Sequence, residues 1–129
     1  MNNIEKGYIA GTLDGEGTIR IIKNKKLSVQ LEILSNTEKK YINKIIKILK
    51  SNQIPYYLYK FNYKYKTFTP LCYKIIVSNQ LHVKKIIEDI KDHCAGKKQR
   101  LELALNIINE KDIEMNLTSF LKINKRGKT

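Results

Sequence analysis

The run Leu27-Ser-Val-Gln-Leu-Glu-Ile-Leu34 alternates apolar and polar side chains with period two. Leu27, Val29, Leu31 and Ile33 fall on one face, and Ser28, Gln30 and Glu32 on the other. Such alternation belongs to a strand in a sheet that is buried on one side and open on the other. The β-branched run Thr18-Ile-Arg-Ile-Ile-Lys23 precedes it across Asn24-Lys25-Lys26, so the two read as a hairpin. Upstream, Ile4 to Leu13 spaces Tyr8, Ile9 and Leu13 at near-helical intervals and closes in the glycine-rich Asp14-Gly15-Glu16-Gly17.

The same theme recurs downstream. Ser35-Asn-Thr-Glu38 has the form of a capping box, and Ile42, Ile45, Ile46 and Leu49 follow at helical spacing. Tyr56 to Phe61 and Cys72 to Val77 form a second hairpin across the polar stretch Asn62 to Thr69. Ser78-Asn79 caps a third helix through Val83, Ile86, Ile87 and Ile90, and Lys97 to Asn109 makes a fourth. A short amphipathic piece carries Met115, Leu117, Phe120 and Leu121. The order α-ββ-α-ββ-α-α predicts one α+β domain over residues 1–121, with helices on one face of an antiparallel sheet. Residues 122–129 read as a basic, mobile tail.

The chain has 129 residues, enough for one core without staples. Its two cysteines, Cys72 and Cys94, make neither a disulfide framework nor a metal-ligand spacing, so a reducing compartment is expected. No signal-peptide pattern opens the sequence and no apolar run is long enough to span a membrane, which predicts an intracellular protein with no membrane partner. Lys and Arg total 25 against 12 Asp and Glu, a formal charge of +13. AT-rich coding accounts for part of the lysine, and suits a cytoplasmic protein or an organelle with an AT-rich genome. It does not account for the span between Glu38 and Glu88, which holds 11 lysines and no acid. A field of that kind suits a polyanion such as nucleic acid.

Asp14 and Glu16 stand out against this charge. They lie at the end of a helix whose macrodipole is negative there, so something must offset them, and a divalent cation taking oxygen ligands would do so. Gly7 and Gly11, four apart, leave a helix face on which another backbone can approach.

The nonapeptide Ile9-Ala-Gly-Thr-Leu-Asp-Gly-Glu-Gly17 resembles the signature of the LAGLIDADG homing endonucleases. Ala10, Gly11, Asp14, Gly15 and Gly17 match it, Ile9, Leu13 and Glu16 are conservative, and Thr12 replaces a bulkier apolar residue. The resemblance extends to the element order, since that family folds as αββαββα with extra C-terminal helices around a saddle-shaped antiparallel sheet. It implies an intron-encoded, magnesium-dependent nuclease, with manganese or calcium able to take the metal's place. Such an enzyme cuts both strands of a long, near-palindromic double-stranded DNA site; an intron-splicing maturase that does not cleave is the alternative on the same fold. With one motif per chain, the resemblance implies a homodimer joined through Gly7, Ala10, Gly11 and Asp14.

By the same resemblance Glu16 is the metal ligand, helped by the Gly15 carbonyl. Ser35 or Asn36 positions solvent, Lys97 (or Lys98, one slip away) lies by the cleavage site, and Lys39 near the scissile phosphate. The open sheet face is expected in the major groove. Period-two parity then sends Thr18, Arg20, Ile22, Lys26, Ser28, Gln30 and Glu32 to the DNA, joined by Cys72, Lys74 and Ile76. Tyr56 and Lys60 are assigned there from the third strand, where both faces hold aromatics, and Lys64 and Lys66 at the hairpin tip are expected to grip phosphate.

Overall fold

The computed structural model describes residues 1–62 and 71–127, with side chains through residue 123. The first helix, α1, runs Asn3–Glu16 and opens in a capping box: Glu5 N–H donates to Asn2 Oδ1 at 2.8 Å, and Asn2 N–H to Glu5 Oε1 at 3.0 Å. The signature acids therefore lie inside its last turn rather than beyond it. Gly17 ends the helix and turns into β1. A Cβ there would stand 2.8 Å from both Leu13 Cα and the Glu32 carbonyl oxygen, so the close crossing of α1 over the sheet excludes any side chain.

Strand β1 (Thr18–Lys23) pairs antiparallel with β2 (Leu27–Asn36), and β3 (Tyr57–Phe61) with β4 (Cys72–Val77). The sheet order is β1-β2-β4-β3, antiparallel throughout. Helix α2 (Lys39–Ser51) links the hairpins, and α3 (Gln80–Ile90), α4 (Lys98–Ile108) and α5 (Ile113–Gly127) come after them, with a 3-10 turn at Lys91–His93. The α+β architecture is the one expected. The C-terminal segment differs: residues 122–127, read as a mobile tail, continue the 15-residue helix α5.

Buried Ile9 and Leu13 of α1, Ile45 and Leu49 of α2, and Ile86, Ile87 and Ile90 of α3 pack with Leu101 and Phe120 onto Val29, Leu31, Ile75 and Val77. The register of β2 against β4 slips once. Glu32 pairs with Ile76 but Leu34 pairs with Ile75, so Ile33 is the extra residue of a bulge. Both Ile33 and Leu34 are buried as a result, and the parity of the last two strand residues is reversed. Ser35 returns to the open face opposite Lys74, while Asn36, opposite Tyr73, turns to the helix side.

That pairing overrides the capping box read at Ser35. The chain is still a strand at Asn36, and α2 starts after Glu38 with no side-chain cap. Helix α2 stops through Ile54 N–H to the Leu49 carbonyl at 2.9 Å and Gln53 N–H to the Lys50 carbonyl at 3.1 Å, with Gln53 at φ 56°. This is the left-handed stop usually given to glycine. Beyond the end of β4, the Gln80 side chain continues the ladder on β2: its Oε1 accepts from Val29 N–H at 2.9 Å and its Nε2 donates to the Val29 carbonyl at 2.8 Å.

Candidate active site

The C-terminal end of α1 carries two acids with separate environments. Asp14 accepts backbone N–H bonds from Ala95 at 2.7 Å, Lys97 at 3.0 Å and Gly96 at 3.3 Å, the donors that open α4. Lys97 Nζ returns a bond to the Asp14 carbonyl at 2.7 Å. The end of one helix is thus stitched to the start of another, which offsets the unfavourable dipole at Asp14 without a metal. Burial works to raise the Asp14 carboxyl, but the three N–H bonds and Lys97 outweigh it and hold it below the ordinary aspartate value. Burial in turn lowers the Lys97 ammonium, opposed by Asp14 and reinforced by Arg100. Cys94, behind them, donates its thiol to the Ala10 carbonyl at 3.8 Å, and burial with the Asp14 charge pushes it up to about 11, so it stays neutral.

Glu16 is exposed, and Asn36 Nδ2 donates to both of its oxygens, at 2.9 and 3.2 Å. Asn36 Oδ1 accepts from Glu38 N–H at 2.8 Å, which fixes which end of the amide faces Glu16. The bulge makes this contact available, because it turns Asn36 toward α1. Gly15 lies exposed in the last turn, where helix carbonyls have no intrahelical partner by position.

The remaining candidates divide. Lys97 joins the α1 end, whereas Lys98 turns away to Asp92 at 3.3 Å. Ser35 Oγ meets Cys72 Sγ at 3.5 Å on the open face, away from the cap it was read to form. Lys39 is exposed on the first turn of α2 and makes no ion pair with the described residues.

Along α1 the exposed stripe is Gly7, Gly11 and Gly15, and a Cβ at any of them meets nothing within 4 Å. The adjoining groove, about 490 Å3, is closed on one side by Leu34 and Tyr41. Thr12, the residue that departs from the signature, satisfies its own hydroxyl on the Tyr8 carbonyl at 2.8 Å. Two residues assigned to the interface lie elsewhere. Ala10 is 0% exposed in the core, and Asp14 is committed to the α4 turn.

On the open face, cross-strand pairs set Arg20 beside Gln30, Ile22 beside Ser28, and Glu32 between Thr18 and Ile76, with Lys74 beside Ser35. Three DNA-facing assignments need correction. Cys72 has the right parity but is only 3% exposed, packed under Ser35. Lys60 pairs with Tyr73 and so lies on the helix side, its ammonium 6.0 Å from that ring, and Tyr56 precedes β3. Lys26, at the turn between β1 and β2, pairs with Glu110 at 2.9 Å while staying 82% exposed. Lys64 and Lys66 lie outside the described residues. Among the described residues of β3, the aromatic side chains on the open face are Tyr57, Tyr59 and Phe61; Tyr57 and Tyr59 are 60% and 51% exposed, with ring centroids 6.3 Å apart. Opposite residues of β3 and β4 differ in numerical parity, as Tyr59 opposite Lys74 shows, so the register and not the alternation identifies them.

Neither a protein-family profile nor a curated protein sequence matches the chain. Solved structures do. The homing endonuclease I-CvuI, in complex with the I-CreI target in the presence of magnesium and with the DNA not cleaved, is 17% identical; the match covers 82% of this chain and 66% of that chain at a TM-score of 0.62. The same enzyme in complex with its own target in the presence of calcium is 19% identical over the same shares at a TM-score of 0.61. The chain therefore has the LAGLIDADG homing-endonuclease fold, as its nonapeptide led one to expect, and spans 66% of the length of these neighbours.

Proposed function

We propose that the chain acts as a homodimeric, divalent-metal-dependent endonuclease that cuts both strands of a long, near-palindromic DNA site. The observation that carries this reading is the position of Glu16, exposed at the end of the helix that bears the open Gly7-Gly11-Gly15 stripe. A second copy packed on that stripe brings its own Glu16 to the same axis. Among the described residues no group of three His, Cys, Asp or Glu could hold a metal within one chain, so the remaining ligands come from the second copy, solvent and substrate phosphate. Glu16 with the Gly15 carbonyl supplies hard oxygen donors of the kind magnesium, manganese and calcium accept. Held there, such an ion would supply charge stabilisation for the attacking and leaving oxygens.

The chain's own side chains do the rest. Asn36 fixes the rotamer of Glu16 through two bonds to its carboxylate. Lys97 spends one of its three donors on Asp14, which leaves two for a phosphate oxygen beside the α1 end. Arg20, Gln30, Ser28 and Thr18 present polar groups from a two-stranded ribbon narrow enough to enter the major groove. That the structural neighbours are DNA complexes supports DNA as the partner.

The test is cleavage of a library of near-palindromic duplexes with magnesium, run beside Glu16→Gln. Cutting by the wild type together with binding but no cutting by the variant supports the nuclease. Equal binding without cutting by either makes the chain a non-cleaving binder of the maturase kind.

A further inference from the structure

The open face of the sheet contains one buried acid among its cations. Glu32 is 4% exposed, and its Oε1 takes both Arg20 Nη2 at 3.2 Å, from β1, and Lys74 Nζ at 3.5 Å, from β4. Lys74 is held from another side by the Phe61 ring, 4.8 Å from its ammonium. Arg20 and Lys74 are both about one-third exposed, so the pair meets the solvent that DNA would replace while being anchored below. An acid so placed works against simple polyanion binding: it neutralises charge in the middle of the surface that is meant to receive phosphates.

We propose that Glu32 is a specificity-determining residue, holding Arg20 and Lys74 in place over base edges and withholding them from sequence-independent grip on the backbone. The inference rests on the endonuclease reading above. A freely rotating arginine or lysine finds the nearest phosphate, which gives affinity without information. An arginine with one Nη tethered keeps its other donors for a guanine edge and cannot follow the backbone. Glu32 reaches this position because it lies immediately before the bulge, on the last open-face position of β2 that keeps the original parity.

The experiment measures duplex binding against salt concentration in EDTA, for the wild type and Glu32→Gln. The probes are a duplex selected from the near-palindromic library and a shuffled version of it. Each added phosphate contact steepens the slope of log K on log salt by about 0.9. Glu32→Gln is expected to steepen the slope on the shuffled duplex by about 1 to 2 units and to lower the selected-to-shuffled ratio at least about tenfold. An unchanged or shallower slope, or a preserved ratio, overturns the inference.

Arg20→Gln and Lys74→Gln provide a second reading that does not depend on the folding of Glu32→Gln. Each should weaken binding to the selected duplex while moving the shuffled-duplex slope by less than about 0.5. A loss near 0.9 from either would mean that it already grips phosphate, and the inference falls. A wild type that binds no duplex removes the endonuclease reading and this inference with it. A wild type that discriminates, alongside an unaltered Glu32→Gln, removes this inference alone.

Discussion

Asn36, the last residue of β2, clasps both carboxylate oxygens of Glu16, the last residue of α1, at 2.9 and 3.2 Å. Helix and strand are joined at the candidate catalytic acid. Replacing Asn36 by Ala should leave the fold intact and lower single-turnover cleavage by about 10- to 100-fold, the usual penalty for losing a partner that orients a metal ligand. Asn36→Asp should be at least as damaging, because it removes the amide donor and sets a second carboxylate against the first. Wild-type cleavage by both variants would mean that Asn36 does not orient Glu16.

The Asp14 contact makes a prediction about acid stability. Its carboxyl is held below the ordinary 3.8, so the stabilisation is present above that value and is lost as pH falls through the depressed folded value. Urea midpoints of the wild type should therefore decline below about pH 4 more steeply than those of Asp14→Asn. Asp14→Ala should cost about 1 to 2 kcal/mol at neutral pH, as for other lost N-caps, because the donors opening α4 are left without an acceptor. Equal acid limbs for wild type and Asp14→Asn would contradict this assignment.

The glycines of the signature separate into two kinds, and stability and association measurements should divide them. Gly17→Ala forces a Cβ against Leu13 and the Glu32 carbonyl, and should destabilise by about 2 to 3 kcal/mol. Gly11→Ala meets nothing in its own chain and should stabilise the subunit by about 0.5 to 1 kcal/mol through helix propensity. If α1 packs on α1 of a second copy, that same alanine shifts the sedimentation profile from dimer toward monomer. A Gly11→Ala protein that dimerises as tightly as the wild type would put the subunit contact elsewhere.

Gln53, at φ 56°, occupies the left-handed position that closes α2, where a Cβ is strained. Gln53→Gly should raise the unfolding free energy by about 1 kcal/mol, read from denaturant midpoints at unchanged m. Its neighbour Ile54 is buried, so the stop itself should survive the change.

Much of this could be read from the chain. Ile42, Ile45 and Leu49, at i, i+3 and i+7 of α2, and the alternation in β2 mark one buried side each, a signal that needs no knowledge of the tertiary structure. A one-residue slip could not be read. Ile33 and Leu34 are both apolar, so nothing in the sequence marks the bulge between them, yet it reverses the faces of Ser35 and Asn36 and defeats the apparent capping box. The partners of Asp14 lie more than 80 residues away and belong to no local pattern. Glu32 was placed on the correct face, but its burial depends on cations from two other strands, which parity alone does not register.

The Gln80 amide pairs with the backbone of Val29 as a neighbouring strand would. Since Gln80 is the first residue of α3, the exchange rate of a single sheet amide, that of Val29, becomes a gauge of the first turn of a helix. When that turn frays, the Val29 amide loses its acceptor, while the burial of Val29 and the Lys26–Glu110 ion pair still hold the hairpin to the helical layer, so the amide reports on the helix without the sheet coming loose.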